Sequence, residues 1–220
     1  MRFIGDVHGL YTPYKRLISD VSESIQVGDM GVGFRRSGGG PRDGEIYSNP
    51  PHYAMVKGNH RFIRGNHDNP EECAKHSQWI PDGRVEGSMM FCGGAVSIDR
   101  EFRREGYAWW ANEELSAKEL DGVMEKYLAA KPKVMVTHDC PESIAEAIFQ
   151  GIPGAANGEA KLDPRFASRS RQAFQSMWEA HKPKLWIFGH WHESFDKVVE
   201  GTRFLCLAEL EAKDIDLSLI

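Results

Sequence analysis

The feature that most constrains this chain is where its short apolar runs stop. Arg2-Phe3-Ile4-Gly5 ends at Asp6, Ser24-Ile25-Gln26-Val27 at Gly28-Asp29, Lys133-Val134-Met135-Val136-Thr137 at His138, and Lys184 to Phe188 at Gly189-His190. Apolar runs this short, bounded by turn residues, read as buried strands. Between the first two, Thr12 reads as an N-cap and Pro13 as a first helical residue. Tyr14, Leu17, Ile18 and Val21 then follow at i, i+3, i+4 and i+7, the stripe of an amphipathic helix. Strand, helix, strand with a carboxylate closing each strand is the opening of an α/β protein, and such proteins gather their chemistry at the C-terminal ends of strands.

Further elements follow by the same rules. Tyr53-Ala54-Met55-Val56 and Phe62-Ile63-Arg64 read as strands, and Asn69 caps a short helix opened by Pro70. Arg84-Val85-Glu86 pairs with Met89 to Cys92 through a turn at Gly87. Ser116-x-x-Glu119 is a capping box ahead of the stripe Leu120, Val123, Met124, Tyr127 and Leu128. Residues 141–149 and 165–181 read as helices, and Val198-Val199 with Phe204 to Leu207 as a hairpin around Gly201. Residues 30–51 and 150–164 read as long loops, the usual home of specificity. Elements alternate early and pair late, which predicts mixed sheets flanked by helices. No repeat or linker divides the chain, so residues 1–220 are expected to form a single domain.

Composition narrows the function classes. With 41% hydrophobic and 27% charged residues the chain is neither disordered nor collagenous. No stretch approaches the roughly 20 apolar residues of a membrane span, and the N-terminus turns polar at once, without the apolar core of a signal peptide. A net charge of −5 leaves no strong footprint for duplex nucleic acid. The four cysteines are scattered and form no Cys-x-x-Cys. That disfavours a disulfide framework or zinc knuckle and suits a cytoplasmic protein.

Chemistry concentrates in five segments, taken in order: Asp6-x-His8, Gly28-Asp29, Gly65-Asn66-His67-Asp68, His138 and Gly189-His190-x-His192. They hold five of the nine histidines. Carboxylates, imidazoles and an amide suit Mn²⁺, Fe or Zn²⁺ rather than a soft thiolate-loving ion. Asp-x-His and His-x-His put alternate residues of an extended segment on one side, within reach of one ion. Two Asp, one Asn and four His suffice for two ions if one carboxylate bridges them. A pair of ions about 3.5–4 Å apart is a clamp for in-line displacement at phosphorus.

This ordered set resembles the calcineurin-like metallophosphoesterase superfamily, and Gly5-Asp6-Val7-His8-Gly9 with Arg64-Gly65-Asn66-His67 is similar to its phosphoprotein phosphatase branch. The resemblance implies an α/β fold of four layers, α-β-β-α, with two mixed β-sheets flanked by helices. It implies that Asp6, His8 and His192 hold one metal, that Asn66, His138 and His190 hold the other, and that Asp29 bridges them. Mn²⁺ is the first expectation, with Fe or Zn²⁺ as alternatives. A hydroxide shared by the metals would attack a phosphomonoester. His67, outside the metal shell, would assist the leaving oxygen, and the Asn66 amide would approach the phosphate. Two other functions use the same residues: a phosphodiesterase for cyclic nucleotides or nucleic-acid ends, and a catalytically silent scaffold.

One departure is visible. The phosphatase branch continues its second motif as Gly-Asp-x-x-Asp-Arg-Gly, where the later Asp orients the catalytic His and the Arg grips phosphate. Here Gly28-Asp29-Met30-Gly31 runs on without that pair. Arg35, Arg36, Arg61 or Arg64 could replace the grip, with Arg64 the candidate substrate residue. Asp68 adjoins His67, but neighbouring side chains often diverge.

Plainer expectations attach to the remaining motifs. Gly58-Asn59-His60 imitates the third motif but is followed by Arg61. His52, His76 and His181 are expected at the surface, and Trp109-Trp110 in the core or over a sheet edge. Gly38-Gly39-Gly40, with no Lys-Ser/Thr after it, is expected to be a surface loop. Arg100, Arg103 and Arg104, beside Glu101 and Glu105, are expected on a solvated helical face, with a substrate patch as the lesser alternative.

Overall fold

In a computed structural model, residues 1–34, 57–151 and 167–220 are described. The strand expected at 53–56, the loop around Gly38-Gly39-Gly40, residues 152–164, Arg35, Arg36 and His52 lie outside them. Two mixed sheets carry the structure. The first contains β1 (Arg2–Ile4), β2 (Glu23–Gln26), β3 (Asn59–Phe62) and β10 (Ala212–Asp214), in the order β10-β1-β2-β3. β1, β2 and β3 run parallel, and β10 closes the edge antiparallel to β1. The second contains β4 (Arg84–Glu86), β5 (Met89–Cys92), β6 (Val134–Thr137), β7 (Leu185–Phe188), β8 (Phe195–Val199) and β9 (Thr202–Cys206). Its order is β4-β5-β6-β7-β9-β8, with β5, β6, β7 and β9 parallel and an antiparallel strand at either edge.

The period-2 alternation of strand side chains builds the layers. Phe3, Ile25, Val134, Val136, Leu185, Ile187 and Leu205 meet in one cluster between the sheets. Their neighbours Met135, Trp186 and Phe204 point the other way, onto Leu120, Val123 and Tyr127 of α3 (Ala117–Ala130), Ile144 of α4 (Glu142–Gly151) and Phe174 of α5 (Arg169–Ala180). Ile4 and Phe62 point outward from the first sheet onto Tyr14 and Ile18 of α1 (Tyr11–Ile18) and Cys73 of α2 (Pro70–Cys73). The result is the α-β-β-α order. All four cysteines are buried and unpaired, and no described helix is long and apolar enough to cross a membrane.

Local signals explain most boundaries. The Ser116 and Glu119 side chains cap each other's backbone N–H in a full capping box, and the Asn69 side chain accepts from the Glu71 and Glu72 amides. Glu200 and Gly201, with φ of 46° and 83°, make the two-residue turn of the β8–β9 hairpin.

Several boundaries differ from the sequence expectation. α1 starts at Tyr11 with Leu10 as an N-cap that makes no side-chain bond, so Thr12 and Pro13 lie inside the first turn. A proline is tolerated there because first-turn amides lack helical partners anyway. The third strand runs Asn59–Phe62 rather than 62–64, because Asn59 to Phe62 pair in register with Glu23 to Gln26. Leu128 of the α3 stripe is 44% exposed, and α5 is shorter than the expected 165–181. β10 carries no apolar run and was not expected.

Candidate metal centre

The parallel strands of both sheets deliver the chemical residues to one edge, just past their C-terminal ends. Asp6 follows β1, Asp29 β2, Asn66 β3, His138 β6 and His190 β7. Backbone bonds stitch the loops together. The His190 amide donates to Asp6 Oδ1 at 3.1 Å, and the His67 amide to Asp29 Oδ1 at 2.7 Å. The glycines of the motifs allow this approach: a Cβ on Gly65 would land on Asp29, and one on Gly189 on Asp6. His8, Asp29, His190 and His192 all have left-handed backbone, with φ of 47°, 58°, 70° and 53°. Such conformations cost non-glycine residues about 1–3 kcal/mol each and cluster where side chains must be aimed.

Two groups of donors result. In the first, Asp6 Oδ2 lies 3.0 Å from His192 Nε2 and 3.7 Å from His8 Nε2, and the two Nε2 atoms are 2.9 Å apart. In the second, Asn66 Oδ1 lies 3.0 Å from both His138 Nε2 and His190 Nδ1. Asp29 stands between them, Oδ1 at 3.3 Å from His138 Nε2 and Oδ2 at 3.9 Å from His8 Nε2. Ligand atoms of Asp6, His8 and His192 lie within 4.8 Å of one another, as do those of Asp6, Asp29 and His138. A third such group joins His8, Asp29 and His67.

Surrounding bonds aim these donors. His138 Nδ1–H donates to the Val27 carbonyl at 2.9 Å, which turns Nε2 toward the cluster. Asn66 Nδ2 donates to Ser97 Oγ at 3.0 Å, and Ser97 in turn donates to Glu113 Oε2 at 2.5 Å. That chain turns the amide oxygen toward the two histidines.

The charges are strongly coupled. Burial works against the Asp6 carboxylate, but hydrogen bonds from His192 and His8 hold it below its ordinary range. Burial likewise opposes the Asp29 carboxylate, and His138 and His67 outweigh it. Burial lowers His8, yet Asp6 and Asp29 raise it to about 9; burial lowers His138, yet Asp29 raises it to about 10. His192 is raised by its bond to Asp6. Imidazoles held charged by buried carboxylates mark a site with a surplus of negative charge, where a divalent cation can replace the protons. His67 goes the other way: burial lowers it to about 4, Asp29 opposes, and Arg103 adds to the lowering.

A cavity of about 570 Å³ opens on the centre, lined among others by His8, His67, His192, Phe34, Phe102 and Arg103. Arg103 is the functional candidate that the sequence offered only as the lesser alternative. It follows a short 3₁₀ turn (Arg100–Phe102) rather than lying on a helix, and its side chain is only 16% exposed. The interleaved Arg and Glu imitated a solvated helical face, which put that reading first.

Arg64 is not the expected phosphate grip. It is 3% exposed, with Nε on Asp82 Oδ2 at 2.7 Å and Nη1 on the Glu113 carbonyl at 2.7 Å, so it braces the loops. Arg61 pairs with Glu86. Asp68 does not orient His67; its oxygens accept the amides of Met30, Gly31, Val32 and Gly65. His76 and His181 are half-buried rather than on the surface. Trp110 is buried, as expected, and its ring lies 6.2 Å from Phe34.

Comparison with known proteins bears on the same residues. No curated protein matches the chain. Among solved structures, GAP50, the anchor in the inner membrane complex of Plasmodium, superposes with a TM-score of 0.48 at 11% identity, over 94% of this chain and 71% of that one. The sequence matches the calcineurin-like phosphoesterases over residues 2–194. That span runs from the strand that ends at Asp6 to the segment carrying His190 and His192, and so includes every donor of the cluster; the chain belongs to the calcineurin-like phosphoesterase family.

Proposed function

We propose that the protein is a phosphoesterase that uses two divalent metal ions to hydrolyse phosphomonoesters. The observation that carries this is the position of Asp29, within 4 Å of both His8 and His138 and so between two donor groups. The donors fit: oxygen and imidazole nitrogen suit Mn²⁺ first, and Fe or Zn²⁺ as well. Asp6, His8 and His192 would hold one ion, Asn66, His138 and His190 the other, with Asp29 reaching both. Such ions, when bound, supply Lewis-acid polarisation of the phosphoryl oxygens and a water acidic enough to react at neutral pH.

The chain's own groups do the rest. Asp6 and Asp29 keep negative charge in the floor of the site, and Val27 and Ser97 fix the orientation of His138 and Asn66. His67 stands at the cavity wall beside His8, ring centroids 4.9 Å apart. With its pKa lowered to about 4, the ring is neutral near pH 7 and offers an N–H to the leaving oxygen. A phosphate dianion beside it favours the protonated form, and so proton donation. Arg103, on the same wall, adds positive charge where an anionic ester would sit.

The test uses chelator-stripped protein and Mn²⁺ added back, with hydrolysis followed for an aryl phosphate monoester and an aryl phosphate diester. Metal-restored cleavage with the monoester faster is the expected result. A faster diester would make it a phosphodiesterase, and no cleavage of either with Mn²⁺, Zn²⁺ or Fe²⁺ would overturn the hydrolase reading.

A further inference from the structure

A histidine that assists a leaving group must hold its ring in one plane, and proteins usually arrange this by bonding the far nitrogen to a carboxylate. His67 lacks that device among the described residues. Its nearest carboxylate oxygen, Asp29 Oδ2, is 4.0 Å from Nδ1, beyond hydrogen-bond range. The Asp29 bond at 2.7 Å goes to the His67 backbone amide, which places the residue but leaves its ring free to turn. Asp68, next in the chain, is occupied by four amides.

The ring is instead held by a face. Phe34 lies parallel to the His67 imidazole, 7° between planes and 4.8 Å between centroids. Phe34 is itself clamped. The Arg103 guanidinium carbon stands over its ring, 5.5 Å from the centroid, and Trp110 meets it at 6.2 Å and 58°. Arg103 is fixed in turn by Asp99 Oδ1, 2.6 Å from Nε, and by the Ala108 carbonyl, 3.3 Å from Nη1. Aromatic and cation–π contacts of this kind are directional as well as attractive, so the column sets an orientation.

We propose that Phe34, clamped by Arg103 and Trp110, is the positioning residue for the His67 imidazole: a stacking face stands where a hydrogen-bonded carboxylate would otherwise fix the ring. The role in turnover rests on the phosphoesterase function proposed above; the role in orienting His67 does not. Phe34 touches the ring and not the reacting atoms, so it governs how well His67 meets the leaving oxygen rather than whether substrate binds.

Two measurements test this. The first is the His67 Hε1 resonance in ¹³C-histidine-labelled protein, identified by its loss in His67→Gln. A proton packed against an aromatic face is shifted upfield, so Phe34→Leu moves it downfield while Phe34→Tyr leaves it in place. Arg103→Met moves it in the same direction by less, and carries the test if Phe34→Leu does not fold. The second is turnover with Mn²⁺ on two monoesters. Phe34→Leu lowers kcat about 10- to 100-fold on an alkyl phosphate, whose leaving oxygen needs a proton, but less than about threefold on 4-nitrophenyl phosphate. KM changes little on either, and Phe34→Tyr recovers the wild-type ratio. An unmoved His67 resonance in Phe34→Leu overturns the proposal, as does an equal loss of kcat on both esters. If wild-type protein cleaves neither ester, the phosphoesterase reading fails, and ¹³Cε1 relaxation of His67 decides the positioning role: a ring that gains mobility in Phe34→Leu supports it, and one that does not overturns it.

Discussion

Gly58-Asn59-His60 and Gly65-Asn66-His67 are the same tripeptide seven positions apart, with opposite fates. The first lies at the start of β3. There Asn59 is exposed, and both His60 nitrogens are spent, Nδ1 on Ser24 Oγ at 2.9 Å and Nε2 on the Lys57 carbonyl at 2.7 Å. The second lies beyond the end of β3, where the backbone is released from pairing and can turn successive side chains to one point. There Asn66 Oδ1 faces two histidines, and the His67 ring nitrogens have no hydrogen-bond partner among the described residues. The fourth residue shows the same split. Arg61 makes a half-buried ion pair with Glu86, whereas Asp68 gathers four buried amides from two loops. Chemical capacity here comes from position relative to a strand end, and the tripeptide alone does not confer it.

The largest expected effect that sharpens this contrast is at the fourth residue. Asp68→Ala strands four amides and destabilises the fold by about 4 kcal/mol, whereas Arg61→Ala, at a partly exposed pair, costs about 1 kcal/mol or less; urea unfolding of both variants measures the difference. Next, Asn66→Ala weakens Mn²⁺ binding by about 100-fold, while Asn59→Ala leaves it within about twofold, as isothermal titration reads directly. Equal losses would erase the distinction between the two tripeptides.

Protons sharpen it further. His8 and His138, raised to about 9 and about 10, carry protons at pH 7 that a cation must displace. Apparent Mn²⁺ affinity therefore rises with pH, by about tenfold per unit for each proton released, until the pH reaches those values. Proton release measured in buffers of different ionisation enthalpy checks the sign; uptake of protons on binding would refute it. Smallest, His60→Gln loses one of two buried hydrogen bonds and about 1 kcal/mol of stability, with kcat of the folded protein unchanged.

The candidate donors were legible because each lies within a few residues of the end of an apolar run, and a run that ends in polar residues carries them to the sheet edge. The caps at Asn69 and Ser116 were legible for a local reason: donor and acceptor lie within three residues. What stayed hidden depends on partners distant in sequence. β10 is Ala-Lys-Asp with no pattern of its own, and it pairs because β1 offers an open edge. Arg64 looked free to bind phosphate because nothing nearby in sequence announces Asp82 and the Glu113 carbonyl. Arg103 and Phe34 meet across 69 positions, and an aromatic stack leaves no motif.

The left-handed backbone at His8, Asp29, His190 and His192 sets heat tolerance against turnover. Glycine at any of the four would relieve roughly 1 kcal/mol of backbone energy while deleting a donor. A library of variants screened only for survival on heating should therefore drift toward glycine at these positions and lose metal-dependent activity as it does so. One screened for turnover should keep the side chains and take its stability from elsewhere in the chain.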